Sequence, residues 1–209
     1  MAKAALGFRA HSGWAALVAI AGPSESPSVV ERRVIQLADP TIPGSKQPYH
    51  AAEPLPLEDA EKLVTRCLER TYVLAEEALR ITVDALQAKG HTVNACGLLL
   101  ASGRALPSLA GILASHAMIH AAEGELFRNA LAKATEQCGL PVLGVKEREL
   151  FNRAEQDLHI STTNIEQQLA KLGKSVGSPW RQDEKYAALV AWLALTIGGT
   201  KRRAVSRHG

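Results

Sequence analysis

Residues 5–22 read ALGFRAHSGWAALVAIAG, and this stretch decides the fold. Two runs of small apolar residues, 4–10 and 14–22, flank the polar link His11, Ser12 and Gly13. That is the pattern of two antiparallel strands joined by a tight turn. Neither run alternates cleanly between apolar and polar residues, so both strands are expected to be covered on both faces. A central hairpin of that kind needs helices above and below it.

Working outward, GPSESPS (22–28) is rich in turn residues and leads into VVERRVIQLA (29–38). The mixture of apolar and charged residues there suits a third, more exposed strand. The next stretch, DPTIPGSKQPYHAAEPLP (39–56), holds five prolines and no periodicity. Segments of that length are either plain connectors stiffened by proline or binding loops. Its reactive residues are Lys46, Gln47, Tyr49, His50 and Glu53. From Leu57 to about Lys89 an apolar stripe at 3.6-residue spacing predicts one long helix, with Gly90 as its stop. TVNACGLLLAS (92–102) reads as a buried strand, Ser108 to Cys138 as a second long helix, and LPVLGV (140–145) as a short fifth strand. The remainder is expected to be helical. Thr163 and Glu166 form a candidate capping box, and Pro179 is placed to open the last helix.

The bulk composition agrees with one soluble domain. The chain has 209 residues, 46% hydrophobic and 22% charged, with only 4% aromatic, so the core must be mainly aliphatic. No apolar run reaches the roughly 18 residues that span a bilayer, and polar residues interrupt the N-terminus before a signal-peptide core. Three cysteines, Cys67, Cys96 and Cys138, are far apart and odd in number, which fits a reducing cytoplasm better than a disulfide framework. The expected organisation is a single domain over 1–200 and a basic, disordered tail over 201–209, KRRAVSRHG. The formal net charge of +3 does not by itself imply nucleic acid. The tail could lie on phosphates, but such tails are more often solvated ends.

Within the second long helix, SHAMIHAAE (115–123) places His116, His120 and Glu123 at i, i+4 and i+7. Advancing about 100° per residue puts them in the same sector as Leu109, Ile112, Leu113, Phe127, Ala130 and Leu131. They therefore interrupt the apolar stripe. Buried there without partners, each would cost on the order of 1–3 kcal/mol, so each must be paired, hydrated or ligated. Three outcomes are open: a structural hydrogen-bond network, one divalent metal ion on His116, His120 and Glu123, or a phosphate or acid–base pocket. Without the H-E-x-x-H glutamate the spacing does not specify a metalloprotease.

The β-β-β-α-β-α-β-α order resembles the ribonuclease H-like superfamily, in particular its Holliday-junction resolvase branch: an α/β fold with a mixed five-stranded sheet and helices on both faces. ALGFRAHSGWAALVAI (5–20) looks like that family's first hairpin, and DEKYAALVAWLAL (183–195) like its last helix. The resemblance implies two divalent ions on a carboxylate cluster, drawn from strand one, the end of strand four and the last helix. Here strand one offers Phe8 and Arg9, strand four offers Ser102 and Arg104, and Asp183, beside Glu184, matches the last position. One carboxylate cannot offset two Mg²⁺ ions. On this fold Arg9, His11, Ser102, Arg104, His116 and His120 are expected to converge, with Lys46, Tyr49 and His50 closing over them. Such a cationic pocket suits a phosphate-bearing or other anionic ligand, including nucleic acid. The competing expectation is that Arg9 pairs internally with Asp183 or Glu123.

The functional expectation is a ribonuclease H-like domain that binds an anionic ligand without two-metal chemistry. The alternative is a single-metal hydrolase or phosphoesterase built on His116, His120, Glu123 and Asp183. A sugar-kinase or actin-like ATPase branch shares the first hairpin, but the link at 11–13 lacks the Gly and Thr residues that cradle phosphates there. The apolar last helix, with Trp180 and Trp192, could also form a homodimer, although a core helix has the same pattern.

Overall fold

The fold comes from a computed structural model that describes residues 1–101 and 105–197. Strand β1 (Ala2–His11) and strand β2 (Trp14–Ala21) form the expected hairpin, turning at Gly13, whose φ of 81° a residue with a Cβ rarely adopts. Strand β3 (Ser28–Gln36) pairs antiparallel with β2, and it is the half-exposed edge strand that its charged residues predict. Strand β4 (His91–Leu100) lies parallel to β1, and β5 (Val142–Lys146) parallel to β4. The sheet order is β3-β2-β1-β4-β5. This is the mixed five-stranded sheet expected from the sequence.

Helices cover both faces. On one lie α1 (Pro48–Ala52), α2 (Leu57–Ala88), α3 (Leu109–Leu113) and α4 (His116–Gln137). On the other lie α5 (Leu150–Leu158), α6 (Thr162–Val176) and α7 (Gln182–Ile197). Leu6 and Phe8 of β1 point into the first layer, whereas Ala5 points into the second, as the period of two along a strand requires. The faces of β1 meet different partners, and this separation governs the functional sites.

Helix α7 packs very closely on the sheet. A Cβ on Gly7 would run into the carbonyl oxygen of Ala187, and one on Gly97 into that of Val190. Ala187 and Ala191 face Gly7, and Val190 faces Gly97. None of the helices is long and apolar enough to cross a membrane among the described residues.

Three sequence expectations need correction. The helix expected from Ser108 to Cys138 is broken at Ala114 and Ser115, where α3 ends and α4 begins. The cap of α6 is Ser161, whose hydroxyl accepts from the Asn164 amide at 3.3 Å; Thr163 and Glu166 do not form the box. The last helix starts at Gln182 and not at Pro179, because the Glu184 carboxylate reaches back to the Arg181 amide at 2.7 Å and fixes the first turn there. The expected tail, 201–209, lies outside the described residues.

Replacing Gly7 or Gly97 by alanine should push α7 off the sheet. Either substitution is expected to destabilise the protein by about 2–4 kcal/mol in urea titrations, in the upper range for overpacking. A loss under about 0.5 kcal/mol would mean that the helix is free to shift.

Candidate functional site

Because β1, β4 and β5 are parallel, their carboxyl ends lie along one edge of the sheet, where ligands bind in open α/β folds. Arg9 is near that edge on the same face as Gly7, so its side chain meets α7. Its Nε and Nη2 donate to the two oxygens of Glu147 at 3.1 and 2.8 Å, a bidentate clamp. Its Nη1 donates to Asp183 Oδ1, and the guanidinium lies 5.3 Å from the centre of the Tyr186 ring. Only 16% of the Arg9 side chain is exposed. Glu147 follows β5 directly, and Asp183 is in the first turn of α7, so the guanidinium ties together three elements distant in sequence.

His11, two residues along the same face, places Nε2 2.8 Å from the same Asp183 oxygen. Its ring stacks on Trp14 across the hairpin, with centroids 4.3 Å apart. Burial alone would raise the Asp183 pKa, but hydrogen bonds and charge from His11 and Arg9 hold it below the ordinary carboxylate value. Burial likewise works against the Arg9 charge, and Glu147 and Asp183 overcome it, raising its pKa.

The second group of candidates lies on the opposite layer. Asp39 anchors the approach to it. Its Oδ1 accepts from the Thr41 amide and hydroxyl at 2.8 and 2.6 Å, and its Oδ2 from Arg70 of α2 at 2.6 Å. Those contacts hold its pKa down to about 2. The segment then crosses the hairpin: Leu37 and Ala38 donate to the Gly13 carbonyl, and Lys46 lies against Gly13 while remaining exposed. Pro48 opens the short helix α1, which buries Tyr49 and leaves His50 at the rim.

Glu123 of α4 receives this helix. Its Oε1 accepts from the amides of Tyr49 and His50 at 2.9 and 3.1 Å, and lies 3.2 Å from His50 Nδ1. Glu123 is only 2% exposed, and its Oε2 is buried without a hydrogen-bond partner. Burial pushes its pKa up, against the pull of the His50 and Tyr49 contacts. Two turns nearer the start of α4, His116 and His120 are exposed, with their Nε2 atoms 3.0 Å apart. His50 packs edge-on against both, at centroid distances of 5.4 and 4.7 Å. One ligand nitrogen from each of His50, His116 and His120 lies within 4.8 Å of the others, so these three could hold a metal ion.

The expected convergence of all these residues into one pocket is therefore corrected. Arg9, His11 and Asp183 face α7, whereas His50, His116, His120 and Glu123 lie on helices of the other layer. The expectation that both imidazoles are buried with Glu123 also fails. The three share a helix face, but a rise of about 1.5 Å per residue separates His116 from Glu123 by roughly 10 Å along the axis, enough to leave the core. In the candidate metal group His50 takes the place given to Glu123. Tyr49 is buried in the core. Ser102 and Arg104 lie outside the described residues. Glu147 was not singled out from sequence, although an acid directly after the fifth strand must fall at the functional edge.

Sheet order, strand directions and two helical layers define a ribonuclease H-like fold. Comparison with solved structures makes the likeness specific. The chain is similar to Thermus thermophilus RuvC in complex with a Holliday junction substrate, over 91% of each chain, with a TM-score of 0.51 and 10% sequence identity. A further Thermus thermophilus RuvC structure matches at a TM-score of 0.48 and 12% identity, covering 91% of this chain and 92% of that one. No family model matches the sequence. No curated protein matches it either.

Removing the Arg9 guanidinium takes both of its hydrogen bonds from Glu147 and leaves Asp183 with His11. Arg9→Met should cost about 2–3 kcal/mol of stability at neutral pH. Because the folded-state pKa of Asp183 is lowered, its contribution is present above the unfolded carboxylate pKa, about 3.9, and is lost as pH falls through the folded value. Urea midpoints measured from pH 6 down to pH 2 should show that loss in the wild type and a smaller one in Asp183→Asn.

Proposed function

We propose that the protein is a ribonuclease H-like domain that binds nucleic acid through its phosphates and does not cleave it by a two-metal route. The observation that carries this reading is the Arg9 guanidinium, clamped by Glu147 and Asp183 at the carboxyl edge of the sheet. Two-metal hydrolysis needs carboxylates with free lone pairs around ions that activate water and stabilise the leaving oxygen. In this chain those lone pairs accept from a tethered cation. Strand one offers Phe8 and Arg9 where the resemblance implies an acid.

The same pairing narrows the anion-binding expectation. Arg9 spends its charge on two carboxylates, so the phosphate contacts fall to groups around it. Lys46 is exposed beside the hairpin and has no ion-pair partner among the described residues, whereas the half-exposed His11 already meets Asp183 through Nε2. The similar RuvC structure contains a Holliday junction substrate, which makes branched DNA the first ligand to try. The fold likeness supports the class of ligand, and the Arg9 clamp supports the absence of cutting.

Fluorescence anisotropy on duplex and four-way-junction DNA checks the reading. If about three phosphates are neutralised, a fourfold rise in salt should weaken binding about 40-fold. Lys46→Ala should reduce the affinity and the salt slope together. No cleavage is expected with Mg²⁺ or Mn²⁺. Binding that ignores salt would contradict the proposal, as would metal-dependent cleavage that Asp183→Asn abolishes.

A further inference from the structure

We infer that His50, His116 and His120 form a binding site for one transition-metal ion of the zinc class, with Glu123 as the residue that positions His50. The site lies on the opposite face of the sheet from the Arg9 clamp and does not depend on the nucleic-acid reading.

The ligand atoms come from two elements that a metal would join. His116 and His120 are one turn apart on α4, the spacing that puts two side chains on one helix face. Their Nε2 atoms are 3.0 Å apart. Two nitrogens bound tetrahedrally at metal–nitrogen distances near 2.0–2.1 Å sit about 3.3 Å apart, so a small rotation of either ring admits the ion. His50 approaches from α1 and completes a set of three nitrogens, all within 4.8 Å of one another.

The surroundings of His50 are those of a ligand. Its Nδ1 is 3.2 Å from Glu123 Oε1, which fixes the ring and leaves Nε2 as the metal-facing nitrogen. Metal-binding histidines usually present their other nitrogen to a carboxylate or carbonyl, which sets the tautomer and raises the basicity of the ligand. Glu123 holds the backbone as well as the ring, through the Tyr49 and His50 amides. This buried carboxylate retains an oxygen without a partner, an arrangement that is costly unless positive charge lies close by. A metal on His50 supplies that charge through the imidazole.

The donor set also states which ion. Three imidazoles, with no thiolate and no carboxylate in the group among the described residues, suit Zn²⁺, Co²⁺, Ni²⁺ or Cu²⁺, whereas Mg²⁺ and Ca²⁺ demand oxygen ligands. His116 and His120 are exposed, so the fourth position opens to solvent and holds a water. Three protein ligands and one open position are the arrangement of catalytic rather than structural zinc sites. Without an ion the three rings form an edge-to-face cluster at the surface, and Glu123 is the carboxylate paired with it, through His50 alone.

Calorimetric titration of chelator-treated full-length protein with ZnCl₂, with Co²⁺ absorption as a second readout, tests the site. One ion per chain is expected, with Co²⁺ giving visible bands of tetrahedral or five-coordinate intensity. His50→Ala and His120→Ala should each weaken binding at least 100-fold. His120 is exposed, so His120→Ala should keep the metal-free melting temperature, whereas His50→Ala also removes a partner of Glu123 and should lower it. Glu123→Gln should retain the stoichiometry and lose 10- to 100-fold in affinity, the range for a supporting carboxylate. If Glu123→Gln does not fold, the two histidine variants decide alone. Absence of zinc binding at micromolar concentration would overturn the inference. So would binding that both histidine variants leave unchanged.

Discussion

The guanidinium of Arg9 is the constraint on which the functional edge depends. It grips Glu147 with two parallel hydrogen bonds and Asp183 with a third, joining β1, the end of β5 and the start of α7. Planar, permanently charged and rich in donors, arginine suits such a role as lysine would not. Its position depends in turn on the contact below it. Gly7 and Gly97 let α7 descend onto the sheet, and that descent brings Asp183 within reach of Arg9 and His11. A divalent ion at this edge would have to displace a cation that is covalently attached to the strand.

Alternation along β1 then divides the chemistry. Odd-numbered positions, Ala5 to His11, turn toward α7 and end in an ion-paired network. Even-numbered positions, Leu6 and Phe8, build the aliphatic layer under α2 and α4. Over that aliphatic layer the segment after β3 is tied down by Asp39 and Glu123, which together present His50 to the first two turns of α4. The domain thus carries an ion-paired cluster on one face and an imidazole cluster on the other.

Much of the architecture is legible in the sequence, for definite physical reasons. Apolar runs without alternation mark β1 and β2 as covered on both faces, and the charged run 29–38 marks β3 as an edge. The stripe that begins at Leu57, with Gly90 as the stop, marks a helix from Leu57 to about Lys89, within a residue of the ends of α2. The site was only half legible. Helical phase correctly put His116, His120 and Glu123 on one face, but phase carries no information on depth along the axis. It therefore could not separate two rim histidines from a buried acid. Of the two carboxylates expected to pair with Arg9, Asp183 does so, whereas Glu123 meets Tyr49 and His50 on the other layer. Glu147 was not legible, because its importance appears only when β5 is known to lie parallel to β4. The partnership of His50 with Glu123 spans 73 residues and depends on how a proline-rich segment folds back, which no local pattern encodes.

The central claim is that the Arg9 guanidinium excludes divalent cations from the carboxylates at the sheet edge. Paramagnetic broadening of backbone amide signals by substoichiometric Mn²⁺ measures this directly in the unmodified protein. The account predicts that amides of residues 7–11, Glu147 and Asp183 stay sharp, with any broadening confined to other surfaces. Saturable broadening centred on those residues, reversed by chelator, would contradict it.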